Sequence, residues 1–73
     1  MRLVRETYLK VIVGREVHYL KERCYASESD GCIKTEFITK ATFLKAVNEN
    51  KRTEEVDINN ARLNIRNAIK KVS

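Results

Sequence analysis

The hydrophobic period of this chain changes once, after Ile38, and that change constrains the fold more than any other feature. Before it, β-branched and aromatic residues cluster with two-residue alternation; after it, Phe43, Ala46 and Val47 recur at three and four. A strand-like half followed by a helix-like half, without repeated alternation between them, predicts an α+β domain. The expected architecture is a small antiparallel sheet of two or three strands over residues 5–39. A short helix at 42–50 and a longer C-terminal helix at 54–72 follow it and pack on the sheet. Residues 1–73 leave room for one small globular domain.

The run Arg5 to Val13 is rich in Val, Ile, Thr and Tyr, types that fit a pleated surface. As a strand it sets Thr7, Leu9, Val11 and Val13 on one face and Tyr8, Lys10 and Ile12 on the other. A helix is the competing reading, since Tyr8, Val11, Ile12 and Tyr19 also fit a helical stripe. Gly14 inside such a helix would cost about 1 kcal/mol, and the β-branched cluster adds to that. The strand reading is therefore preferred, with a turn around Gly14 and Arg15 and a second strand from Val17 to Ala26. Ser27-Glu28-Ser29-Asp30-Gly31 is the clearest turn signal, because Asp-Gly readily supplies the positive φ of a hairpin. A third strand starts at Cys32, with Ile33, Thr35, Phe37 and Thr39 on one face and Lys34, Glu36 and Ile38 on the other.

Past Ile38, Thr39 or Thr42 can cap the first helix, and Asn48 or Asn50 can end it by accepting a left-handed conformation. Thr53 followed by Glu54 and Glu55 reads as the N-cap and acidic first turn of the second helix. Along that helix Ile58, Ala61, Ile65, Ala68, Ile69 and Val72 form one apolar stripe facing the sheet. Leu63 and Val56 fall on its far side, where Phe43 or Val47 is expected to cover them.

The net charge of +5 is unevenly spread: residues 1–57 hold eleven bases against ten acids, whereas the last sixteen residues hold four bases and no acid. Arg62, Arg66 and Lys70 recur at i, i+4 and i+8 on the projected helix, and Lys71 follows. Like charges at that spacing repel modestly, so helix stability alone does not favour the row. It suits contact with phosphates, and Asn59, Asn60, Asn64 and Asn67 beside it can add hydrogen bonds. The plain alternative is a solvated face whose late cations complement the helix C-terminus. Tyr8 with Lys10 and Tyr19 with Lys21 interleave aromatic and basic residues on the sheet, a pattern that suits either base stacking or core filling.

Chemistry-bearing residues are few. Cys24 and Cys32 are expected as reduced thiols, and with His18 they supply at most three zinc ligands, short of a closed tetrahedral site. A hairpin loop of about seven residues would place Cys24 opposite Cys32, and shorter loops would place it opposite Lys34 to Phe37. There is no Gly-rich phosphate loop, nucleophile elbow or H-E-x-x-H motif. The expectation is a non-enzymatic protein without catalytic residues, metal or cofactor. No apolar run approaches the roughly 18 residues of a membrane span, and the N-terminus lacks a secretory pattern, so a cytoplasmic location without membrane contact is expected.

The leading functional expectation is DNA or RNA binding, mainly through the backbone, by Arg62, Arg66, Lys70 and Lys71 together with Lys10, Arg15, Lys21 and Arg23 from the sheet. The alternative is a small regulator or inhibitor of the type that phages and mobile elements encode. It would dock on a larger host protein through an exposed sheet edge or the Leu63 and Val56 side. A homodimer through an edge strand is compatible with either.

Overall fold

A computed structural model describes residues 2–26 and 32–72 of the chain. The strands are β1 (Arg2–Val13), β2 (Glu16–Ala26), β3 (Cys32–Phe37) and β4 (Thr53–Asp57), and the helices are α1 (Lys40–Asn48) and α2 (Leu63–Lys70). A short 3₁₀ turn, Ile58–Asn60, joins β4 to α2. The four strands make one sheet in the order β3-β2-β1-β4. β1 pairs antiparallel with β2, β2 antiparallel with β3, and β1 parallel with β4. The fold is α+β with a mixed sheet and two helices.

The alternation read from Thr7 to Val13 decides which helix covers which face. On one side Leu9, Val11 and Leu20 pack under Ala61, Ile65 and Ile69 of α2 and its approach. On the other, Tyr8 packs with Phe43 and Ala46 of α1, with Tyr19 and Ile38 against them. β1 and β2 are thus buried on both faces at their middle. Gly14 makes the turn between them with φ +62, a left-handed value that glycine adopts without a steric penalty. The expected turn at residues 27–31 lies outside the described residues.

α1 spans Lys40–Asn48 rather than 42–50, yet it uses cap residues that the sequence offers. Thr39 is its N-cap and accepts from the Thr42 amide at 3.1 Å. Asn50, with φ 58, provides the left-handed residue after its C-cap, Glu49. The second helix departs from expectation. Residues 53–57 are not its first turns but a fourth strand, and α2 covers only Leu63–Lys70. The β1 register explains the change. Tyr8 to Ile12 sit opposite Thr53 to Asp57, the Tyr8 amide donates to the Arg52 carbonyl at 2.9 Å, and Val56 packs into the core beneath α2. Pairing the bare edge of a long central strand outweighs a weak local helix signal. Asp57 then accepts from the Asn59 amide at 2.9 Å and starts the 3₁₀ turn, so a helix from 54 is interrupted twice.

The apolar stripe survives this shortening in its central members: Ala61, Ile65 and Ile69 are buried, Ile58 and Ala68 partly so, and Val72 is exposed. Leu63 is not covered by Phe43 or Val47; it stands 66% exposed. No helix among the described residues is long and apolar enough to cross a membrane.

Candidate functional site

The cations singled out in the sequence fall on both sides of the sheet. By strand register Lys10, Lys21 and Arg23 share the face that α1 packs on, whereas α2 with its cations lies over the opposite face. The three sheet cations are also engaged. Lys10 pairs with Glu55 at 3.3 Å, Lys21 with Glu36 at 3.1 Å, and Arg23 with Glu6 at 3.0 Å and Glu36 at 3.8 Å. Arg23 Nε donates to the Glu6 carboxylate, and chiefly for that reason the Glu6 carboxyl is held below the usual glutamate range; burial opposes the shift, and the Tyr8 hydroxyl, which also donates to Glu6, assists it. The same bond raises the Arg23 guanidinium.

The aromatic interleave is core. Tyr8 is buried and Tyr19 stacks at a tilt on Phe43 with ring centroids 5.2 Å apart, so neither ring offers a free face for a base. The Lys21 and Lys51 ammonium groups lie 5.8 and 5.6 Å from the centre of the Tyr8 ring, close enough for cation–π attraction.

Arg62 is the N-cap residue of α2 rather than a member of its exposed row, and its side chain turns to the sheet. Its Nη2 donates to Glu22 at 2.7 Å and its Nε at 3.2 Å, while Asn64 Nδ2 donates to the same carboxylate at 2.7 Å and to the Thr35 hydroxyl at 3.1 Å. Glu22 is 1% exposed, on the inward face beside Thr7. Its hydrogen bonds raise the Arg62 guanidinium above its ordinary range. Sequence reading missed this buried carboxylate because its partners lie forty residues away; the one local signal is an acid in an otherwise apolar alternation, Leu20-x-Glu22.

What remains on α2 is a smaller set. Arg66, Lys70 and Lys71 are exposed and have no acid partner among the described residues, and Arg15 stands likewise on the Gly14 turn. Arg66, Asn67 and Lys70 line one side of a groove of about 390 Å³, whose apolar wall is Val13, Ile58, Leu63 and Ile69. Val13 immediately precedes the Gly14–Arg15 turn, so the turn and the α2 cations lie at the same end of the molecule. His18 sits elsewhere, 3.3 Å from Glu16 and edge-on to Phe37. Cys24 is a free thiol opposite Ile33, and Cys32 is opposite Tyr25, so the cysteines are not a cross-strand pair. Among the described residues no three His, Cys, Asp or Glu side chains are grouped to hold a metal ion. No protein-family model, curated protein or solved structure matches this chain.

Proposed function

We propose that this protein is a non-enzymatic module that binds a nucleic-acid backbone through the exposed side of α2. Arg66, Lys70 and Lys71 make the phosphate contacts, Arg15 flanks them, and Asn67 adds a hydrogen-bonding amide. The observation that carries the reading is the pairing within the basic set: Lys10, Lys21 and Arg23 of the sheet each meet a nearby acid, whereas Arg66, Lys70 and Lys71 have no acid partner among the described residues. Unpaired bases on a convex helix next to an acid-free terminus are what phosphate contact needs, since each contact releases condensed counterions. Lys10, Lys21, Arg23 and Arg62 hold the fold in this reading.

A mobility-shift titration at 50 and 200 mM salt tests it. Three phosphate contacts predict a loss of affinity of about 40-fold between the two. Arg66→Ala and Lys70→Ala should each flatten the salt slope by about one unit, and Lys10→Ala should leave it unchanged. Absence of binding at 50 mM salt refutes the proposal.

The α2 groove favours a second reading, docking on a larger protein. Leu63 is the most exposed large apolar residue among the described residues, and Arg66 and Lys70 suit an acidic amphipathic segment. A pull-down with nuclease treatment separates the two. A direct partner that survives nuclease and is lost with Leu63→Asp favours this reading.

A further inference from the structure

β3 is an edge strand of the sheet, and its outer side is self-complementary about a two-fold axis at Thr35. The Ile38 amide donates to the Tyr19 carbonyl at 2.9 Å, so the backbone of Ile38 faces β2. Antiparallel ladders alternate inward and outward groups along a strand. Glu36 and Lys34 therefore also face β2, and the N–H and C=O groups of Ile33, Thr35 and Phe37 face outward. We infer that β3 pairs antiparallel with β3 of a second copy of this chain about a two-fold axis at Thr35. The strand then donates and accepts six backbone hydrogen bonds, two at each of Ile33–Phe37, Thr35–Thr35 and Phe37–Ile33 across the axis.

Side chains select this register. Centred on Thr35, each Lys34 stands opposite the Glu36 of the other copy, and each Ile33 opposite a Phe37. Those two apolar residues are 50% and 43% exposed in the single chain. Moving the axis by one residue sets Lys34 against Lys34 or Glu36 against Glu36, and like charges directly opposite oppose pairing. The other edge is closed to the same trick. Two-fold registers of β4 centred on Glu54, Glu55 or Val56 oppose Glu54 to Glu54, Glu55 to Glu55, or Glu55 to Asp57. The product is an eight-stranded sheet closed as a pair rather than an open fibre, with both α2 helices on one face. The pairing uses none of the α2 cations, so it stands or falls separately from nucleic-acid binding.

Sedimentation equilibrium of the full chain from about 10 µM to 1 mM, with hydrogen exchange at both ends of the range, tests the pairing. Dimerisation is expected, with the Ile33, Thr35 and Phe37 amides gaining protection as concentration rises. Lys34→Glu should raise the dissociation constant about tenfold or more, because symmetry changes the charge pair twice. Glu36→Lys should do the same, and mixing the two variants should restore association, since every pair across the axis is then of opposite charge. Circular dichroism checks that each variant is folded; the wild-type exchange experiment decides the matter if one is not. A monomer throughout the range, a dimer without protection at those three amides, or undiminished association of folded Lys34→Glu overturns the inference.

Discussion

Replacing Arg62 is expected to destabilise the domain far more than replacing any other cation of α2. Glu22 is 1% exposed and its carboxylate takes two of its three side-chain hydrogen bonds from the Arg62 guanidinium. Removing one member of a buried ion pair costs about 3–5 kcal/mol, because the remaining charge is left uncompensated. Two features reduce that figure: the Arg62 side chain is 47% exposed, so water can approach the vacated side, and Asn64 still donates. We expect a loss of about 2–3 kcal/mol for Arg62→Met. Domains of this length are stable by on the order of 4–11 kcal/mol, so the melting temperature should fall by about 10–20 °C.

The reverse change is milder. Glu22→Met leaves Arg62 half in water with Glu54 at 3.8 Å, and the Asn64 amide keeps Thr35. Its expected cost is about 1 kcal/mol, and the double variant should match it rather than the sum of the two, as for a pair whose members need each other. Urea unfolding of the four proteins closes the cycle. An Arg62→Met cost under about 0.5 kcal/mol, or additive losses, would show that Glu22 is not held by Arg62.

Gly14→Ala should destabilise by about 1 kcal/mol from backbone conformation alone, since φ is +62 and no atom beyond the adjoining residues lies within 4 Å of the added carbon; a neutral result by urea midpoint contradicts the turn geometry. Thr39→Ala removes the acceptor for the Thr42 amide and should cost about 1 kcal/mol, with Thr39→Ser close to wild type. Glu6 titrates below the usual glutamate range, so its contribution is present above about pH 4.3, the ordinary value, and is lost as pH falls through its lower folded-state value. Glu6→Gln should therefore weaken the fall in stability as pH drops below about 4.3; an unchanged acid limb in urea midpoints contradicts the Arg23 bond.

Much of the strand half was legible from residue chemistry. Alternation from Thr7 to Val13 assigns each side chain to a face without reference to any distant residue, and Gly14, Thr39 and Asn50 mark turn and caps by local backbone preference. A similar local argument failed at residues 53–57. There Thr53, Glu54 and Glu55 look like a helix start, yet the open edge of β1 offers five residues of pairing that no local window contains. The charges divided the same way. Composition located the basic terminus, but which bases are free depends on the placement of acids: Glu22 draws Arg62 inward, and Glu55, Glu36 and Glu6 occupy Lys10, Lys21 and Arg23.

By itself, then, the sequence determined the α+β class, the two faces of β1, the caps of α1 and the acid-free character of the C-terminus, because each rests on periodicity, capping or counting within a short window. Only the tertiary structure decided that β4 exists, that α2 starts at Leu63, and that Arg66, Lys70 and Lys71, unlike Lys10, Lys21, Arg23 and Arg62, have no acid partner among the described residues. Those outcomes turn on pairings across about forty residues, where a strand edge or a buried carboxylate is satisfied by whichever distant group the fold brings to it.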